Sequence, residues 1–134
     1  MAVQLGVLTR NARLDAIETQ LGTAPLMTIR TGAQPANCAA ANAGTVLATF
    51  NLPSDWLAAA SGGSKAIAGG PWQDVSADAA GTAAHFRIHN TAGTVCEMQG
   101  SVGQGTGDLQ LDNATIVAGQ TVSITAFTLT DANA

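Results

Sequence analysis

His85, Arg87 and His89 are the residues whose types and spacing come closest to a chemical site. They occupy alternate positions, so a β-strand would project all three side chains from one face at steps of about 7 Å. Two histidines four residues apart on a strand are about 13 Å apart at Cα, too far to bind one zinc ion without ligands from a neighbouring strand. We therefore interpret this face as solvated and expect no metal there.

Other chemistry-bearing patterns are weaker. Asp108 and Asp112 share one face of a predicted strand and have the oxygen ligands that Ca²⁺ prefers, but an exposed polar face requires no ion. The glycines of residues 100–108 have dinucleotide-like spacing, yet a strand follows them instead of a helix N-terminus that would meet a phosphate. Residues 62–65 lack the glycine spacing of a phosphate-binding loop. No serine or cysteine lies in a nucleophile motif, so we predict no enzyme, no cofactor and no metal.

The two cysteines, Cys38 and Cys96, are too few for a disulfide framework or a zinc site. Residues 1–8 lack the basic n-region and the long apolar h-region of a signal peptide. We therefore expect a chain made in the cytosol, with both cysteines as reduced and unbonded thiols.

Composition excludes several classes of partner. The chain has 134 residues, the size of a single domain, and only 10% of them are charged, with a net charge of −4. Its lysine and arginine residues are scattered, whereas nucleic-acid binding by counterion release needs them clustered. No apolar run approaches the roughly 18 residues of a membrane span. We expect neither nucleic acid nor a membrane as a partner.

The N-terminal part predicts an arm and a helix. Residues 1–8 are apolar and precede the helical pattern, so they are interpreted as an arm. Thr9 can serve as N-cap and Gly22 as C-cap of a helix over residues 9–22. A helix of about three turns is marginal alone in water, so it must dock on its own sheet or on another subunit. Its apolar stripe consists of Leu14, Ile17 and Leu21.

After the helix the hydrophobic period changes from 3.6 to 2, which predicts a mainly β domain over residues 9–134. Short strands at spacings near ten residues indicate an antiparallel β-sandwich or a jelly-roll-like barrel, with the short N-terminal helix and the apolar arm in front. The predicted strands are residues 26–30, 46–52, 83–89, 94–99, 108–112 and 122–129.

Three further local features are expected. Residues 31–44 have no periodicity and predict a long surface loop. Residues 54–60 begin with an N-cap residue and predict a helix of one or two turns. In the last strand the apolar parity switches after Ile124, which indicates a bulge near Ala126 or a strand buried on both faces. We also expect Cys96 and Met98 to share the inner face of their hairpin with Phe86.

The shortage of charge points to assembly. Exposed strand edges are usually protected by lysine, proline or inward charges, because bare edges pair with other chains. This sequence has a single lysine, a short apolar arm and a helix too weak to stand alone. We therefore predict a subunit that buries the rest of its surface in a homo-oligomer. The candidate assembly contacts are the aliphatic and aromatic residues Val3, Leu5, Val7, Leu8, Leu14, Ile17, Leu21, Trp56 and Trp72.

Five segments have a recognisable wording: TRNARLDAIE (residues 9–18), PANCAA (35–40), LPSDW (52–56), AHFRI (84–88) and TLTDANA (128–134). With these segments the chain resembles small proteins encoded in the structural-gene clusters of tailed bacteriophages that infect Gram-negative bacteria. The resemblance covers nearly the whole chain, and none of its motifs is catalytic.

The resemblance implies a virion protein assembled in the host cytoplasm. Its leading interpretation is a capsid decoration (cement) protein that bridges and stabilises subunits of the major capsid protein. One alternative is a tail or head–tail joining subunit that contacts other virion proteins. A second alternative is a carbohydrate-binding β-sandwich on a phage fibre, which would need an acidic calcium site or a stacking surface on Trp56 and Trp72.

Overall fold

A computed structural model describes residues 3–131 and shows the expected mainly β fold with one N-terminal helix. The helix α1 spans Val7–Leu21. The strands are β1 (Leu26–Arg30), β2 (Val46–Asn51), β3 (Ser64–Ala66), β4 (Gln73–Asp74), β5 (Gly81–Thr82), β6 (His85–His89), β7 (Cys96–Gly103), β8 (Leu109–Leu111), β9 (Thr115–Ile116) and β10 (Val122–Thr130).

Most strands form one curled sheet in the order β2-β1-β6-β7-β8-β10-β3, which makes a half-barrel. Strand β4 also pairs with β10, while β5 and β9 form a separate two-stranded ribbon. The pairs within the large sheet are antiparallel except β7 and β8, which run parallel. The parallel pair differs from the purely antiparallel expectation because residues 104–108 turn the chain back, so that β8 starts beside the end of β7.

The curl brings the edge strand β2 to the residues around β4. The Thr49 amide donates to Asp74 Oδ2 (2.9 Å) and the Thr49 hydroxyl donates to Asp78 Oδ2 (2.7 Å). The Asp78 amide donates in turn to the Leu47 carbonyl (2.8 Å). The Asp74 carboxylate and the Asp78 amide thereby cover backbone groups that an edge strand would otherwise present to another chain.

The core inside the curl is organised by a row of aromatic rings. Trp56 and Trp72 have centroids 5.9 Å apart, Trp72 and Phe127 are also 5.9 Å apart, and Phe127 meets Phe86 edge-on at 5.6 Å. Each buried indole N–H has an acceptor, the carbonyl of Gly22 for Trp56 (3.1 Å) and that of Ala68 for Trp72 (3.2 Å). These bonds remove the cost of burying the polar ends of both tryptophans.

The helix begins earlier than predicted. Its N-cap is Gly6, which offers no side-chain acceptor, instead of Thr9, and the Arg10 amide closes the first turn on the Gly6 carbonyl (3.1 Å). Gly22 is the C-cap as expected, with φ +81°. Val7 therefore belongs to the helix and not to the arm. Met1 and Ala2, the first two residues of the predicted arm, lie outside the described residues.

The helix predicted over residues 54–60 is wrong. This segment is irregular and pairs with residues distant in the chain: the Ala58 amide donates to the Ala66 carbonyl (2.8 Å), and the Ala68 amide to the Trp56 carbonyl (2.9 Å). These non-local bonds replace the i to i−4 bonds of a helix and hold Trp56 in the core.

Two finer expectations are confirmed. The pairing of β10 with β8 shifts register between Ile124 and Ala126, which is the predicted bulge and returns Phe127 to the core face. Strands β6 and β7 form the predicted hairpin around residues 90–93.

The helix docks on its own subunit through the single lysine. Lys65 of β3 is buried, and its Nζ donates to Asp15 Oδ1 (2.6 Å) and Glu18 Oε2 (2.8 Å) of α1. Burial alone would lower the pKa of Lys65, but the hydrogen bonds to both carboxylates outweigh it and raise that pKa. Asp15 Oδ1 also accepts the Ala60 amide (3.0 Å). The ion pairs thus join the helix, β3 and the irregular segment.

Replacing Lys65 with Met should loosen this docking. Two carboxylates lose their cation, so we expect a lower melting temperature and faster amide hydrogen exchange in α1 than in the β6–β7 hairpin. The matched control is Arg13→Met, because Arg13 pairs with Asp131 at 3.2 Å from an exposed position, and such pairs contribute about 1 kcal/mol or less. Equal effects of the two substitutions would contradict the docking role of Lys65.

Candidate functional site

The face of β6 that carries His85, Arg87 and His89 is buried. Their exposed fractions are 0%, 1% and 5%, so the predicted solvated face is wrong. The strand does project the three side chains from one face, as alternation requires. The residues 31–44, predicted as a surface loop, fold over that face and remove it from water.

Arg87 anchors this covering loop with both of its terminal nitrogens and is itself held by a bond from Nε to β7. Nη1 donates to the Ala40 carbonyl (3.0 Å) and to Asn42 Oδ1 (2.8 Å). Nη2 donates to the Asn37 carbonyl (2.9 Å). Nε donates to Gln99 Oε1 on the neighbouring strand β7 (3.1 Å). The planar fork of arginine makes these four bonds at once, so Arg87 is a structural anchor of the covering loop.

Two further side chains of the sheet hold the same loop. Gln99 Nε2 donates to the Pro35 carbonyl (2.7 Å), and His85 Nδ1 lies 2.9 Å from the Gly32 carbonyl oxygen. The sequence-based analysis missed Gln99, although its position opposite Arg87 on a predicted hairpin was the available signal.

Cys38 and Cys96 are joined in a disulfide, with Cα atoms 5.2 Å apart. The expectation of unbonded thiols is therefore wrong, because the anchored loop carries Cys38 onto β7 within bridging distance. The predicted inner position of Cys96 is also wrong. A register shift after Ile88 places Cys96 opposite His89, on the covered face and not beside Phe86.

The covered face is electropositive. Salt bridges among residues 3–131 involve Arg13 and Lys65, and none involves Arg30, Arg87 or His89. Burial lowers the pKa of His89, and the positive charges of Arg30 and Arg87 lower it further. His89 is therefore held neutral at physiological pH, and carbonyl dipoles of the loop compensate the guanidinium of Arg87.

On the opposite side of the sheet, a cleft of about 460 Å³ separates β7 from β10. It exists because β8 is short: β8 pairs with β7 only at Val102 and Gly103, and β10 pairs with β8 no further than Phe127. Beyond β8, no strand of residues 3–131 lies between these two longer strands. The residues lining this cleft are Phe86, Met98, Gln99, Asp108, Phe127, Thr128, Leu129 and Thr130.

Backbone groups line both walls of the cleft. The Val102 amide donates to Ala84 across the β6 side (3.0 Å), so strand alternation turns the N–H and C=O of Gln99 toward the cleft. The Asp131 amide donates to Gly63 on the β3 side (2.9 Å), so the backbone of Thr128 and Thr130 also faces the cleft. Within residues 3–131 no strand pairs with the backbone of Gln99 or Thr130 on this side, whereas Thr128 adjoins the Phe127–Leu109 pair at the end of the β10–β8 ladder.

The predicted assembly contacts fall into two groups. Val3 and Leu8 are each 80% exposed and Val7 is 42% exposed, while Leu5 is half-buried. The other predicted contacts lie in or against the core of the subunit itself: Leu14, Ile17, Leu21, Trp56 and Trp72. The apolar stripe of the helix therefore docks on its own sheet, which decides between the two partners left open above.

Neither aspartate of the proposed calcium pair is free. Asp108 Oδ2 accepts the Ser101 amide (2.9 Å) and hydroxyl (2.8 Å), and Asp112 Oδ1 accepts the amides of Asn113 (2.9 Å) and Ser123 (3.2 Å). Residues 3–131 hold no cluster of three or more metal-ligating side chains, and α1 is too short and polar to cross a bilayer.

Comparison of the chain with family models, curated proteins and solved structures finds no match.

Replacing Arg87 with Met should release the covering loop. Three acceptors of the loop would lose their charged donor, and a hydrogen bond to a charged group contributes about 1.5–3 kcal/mol, so we expect a loss of about 3 kcal/mol or more in the free energy of unfolding. Urea unfolding measures this loss, and limited proteolysis should cut the variant within residues 31–44. The free energy of unfolding of Arg87→Lys should lie between that of Arg87→Met and that of the wild type. A loss below about 0.5 kcal/mol would contradict the anchoring role.

The lowered pKa of His89 makes stability depend on pH. In the unfolded chain His89 titrates near its ordinary pKa of about 6.5, so below that pH the unfolded state binds more protons than the folded state. The contribution of His89 to the free energy of unfolding should therefore be fully present above pH 7 and decrease as the pH falls toward 5.5. Melting temperatures at pH 7.5 and 5.5 should differ less in His89→Gln than in the wild type. An unchanged difference would mean that His89 is not the responsible group.

Proposed function

We propose that this protein is a structural subunit of a tailed-phage virion, a decoration (cement) protein that binds the outside of the capsid shell and bridges neighbouring capsid subunits. The observation that carries the proposal is a group of exposed aliphatic side chains: Val7 and Leu8 lie in the first turn of α1, and Val3 lies four residues ahead of the helix. An aliphatic group of this kind on a chain with 10% charged residues fits an assembly contact.

Burying these side chains against a partner is more favourable for residues already held in the helix than for residues of an extended arm. Burying an aliphatic side chain contributes roughly 1.5–3 kcal/mol, and ordering a residue costs about 1–2 kcal/mol of backbone entropy. Val7 and Leu8 are already fixed in the helix. Their burial against a partner therefore bears little of the ordering cost, which is the advantage of a preorganised contact.

The buried core weakens the proposal of a glycan-binding module. Trp56 and Trp72 would have supplied its stacking surface, and both lie in the row of aromatic rings inside the curl. The proposed structural role needs no catalytic group. It uses the virion's capsid protein and further copies of this chain as partners, and places the protein in the assembled particle.

The proposal predicts high copy number and a dependence on Leu8. Quantitative mass spectrometry of purified particles should find hundreds of copies, whereas a few copies would indicate a joint, tip or fibre and contradict the decoration role. Leu8→Asp should reduce the copies per particle, because burying the new carboxylate is costly. Thr9→Asp, a charge-matched change on the next residue, should not. Recovery of hundreds of copies from tailless heads separates the shell from the tail tube.

A further inference from the structure

We propose that a small cavity between the covering loop and the sheet binds a small oxyanion, either inorganic phosphate or a small carboxylate. This loop cavity lies between residues 38–42 and the strands β6 and β7, and its volume is about 220 Å³. Asn42, Arg87 and His89 line it beside the Cys38–Cys96 disulfide. The site belongs to the single subunit and is independent of the proposed virion role.

His89 is the side chain that points most directly to a ligand. It is 5% exposed and lines the loop cavity, and no residue within 3–131 forms a hydrogen bond with its ring nitrogens. Buried polar groups are nearly always hydrogen-bonded, because an unpaired one costs free energy. His85 on the same strand face meets the Gly32 carbonyl through Nδ1 (2.9 Å). His89 faces the cavity instead, where a ligand can pair with its ring.

Two further side chains bring unused donors to the cavity. Each terminal nitrogen of arginine carries a pair of N–H groups. Nη1 of Arg87 donates to Ala40 and Asn42, whereas Nη2 donates only to the Asn37 carbonyl (2.9 Å). Asn42 accepts from Arg87 through Oδ1 (2.8 Å), and its Nδ2 group donates to no residue of the described chain. Guanidinium, amide and imidazole donors therefore meet at one cavity.

The charge around the cavity favours an anion. Residues 31–44 contain no acidic side chain, so the loop covers Arg87 with neutral groups alone. Besides burial, the charges of Arg30 and Arg87 lower the pKa of His89, so both guanidinium groups act on it. Arg30 is buried and donates through Nε to Thr28 Oγ1 (3.1 Å). Among residues 3–131 neither guanidinium pairs with a carboxylate. A bound oxyanion supplies that countercharge and accepts charge-assisted hydrogen bonds.

The volume and the donors together restrict the class of ligand. Pockets for drug-sized molecules have volumes of roughly 300–1,000 Å³, and the loop cavity is smaller, so it suits a ligand of a few heavy atoms. Phosphate and carboxylate oxygens match the planar fork of arginine. Chloride has no such geometry, so we expect an oxyanion to bind in preference to chloride.

NMR of the histidine side chains tests binding directly. The full chain is titrated with sodium phosphate, and in a second series with sodium acetate, at an ionic strength held constant with NaCl. The ring signals of His89 should shift saturably with at least one of the two oxyanions, and those of His85 should shift less, because Gly32 already pairs with its ring. Saturation with either oxyanion supports the site and identifies its shape. Saturation with neither overturns the proposal.

Asn42→Asp separates a binding site from a merely structural cavity. The new carboxylate keeps an acceptor for Arg87 but replaces the Nδ2 donor with a negative charge, so oxyanion affinity should fall about tenfold or more. The melting temperature in NaCl should not fall. The matched control is Gln34→Glu, the same amide-to-carboxylate change at an exposed loop position outside the cavity lining, which should bind like the wild type. Unchanged affinity in Asn42→Asp would contradict the site.

A measurement with an uncharged variant keeps the proposal testable if Asn42→Asp does not fold. A ligand that binds only the native state raises the melting temperature as its concentration rises, whereas phosphate and similar salts also stabilise proteins without a site. His89→Leu removes the unpaired ring nitrogens and adds no charge. The oxyanion that binds should raise the melting temperature of the wild type more than that of His89→Leu. Equal rises would indicate a general salt effect and overturn the proposal.

Discussion

The hydrogen bonds of Arg87 to residues 31–44 are the interaction on which the rest of the structure depends. A buried guanidinium is stable only when its donors are satisfied, and within residues 3–131 no carboxylate pairs with Arg87. Two loop carbonyls and the side chains of Asn42 and Gln99 take that place. The loop must therefore lie on the sheet for the charge to be tolerated, and in doing so it brings Cys38 to Cys96.

The covering loop explains how a chain with little charge and few large aliphatic residues forms a stable domain. Every residue of β6 is buried, as are all but the first of β1. Antiparallel sheets commonly leave one face in water, but here one face packs on the aromatic core and the other under residues 31–44. Two-sided burial compensates for the small side chains, since alanine and threonine on covered strands still lose their exposure to water.

The sequence predicted what depends on neighbouring residues. The bounds of β1, the C-cap at Gly22 and the bulge in β10 follow from hydrophobic period and backbone preference. Features that depend on distant contacts were not predictable. The face with His85 and Arg87 has the composition of a solvated face, and only the loop's acceptors show that it is buried. Residues 54–60 have a local helix signal, which the bonds to residues 66–68 override.

The cleft between β7 and β10 is the part of the sheet that the described residues leave open. The edge of β2 is covered by Asp74 and Asp78, and the outer sheet face by the loop. Among residues 3–131 only the short β8 lies between β7 and β10, because the chain turns back through residues 104–108 and Asp108 bonds to Ser101 just ahead of β8. This turn places β8 parallel to β7 and also limits its length. Sheet backbone with no strand beside it is stable in water and gains hydrogen bonds when a further strand pairs with it.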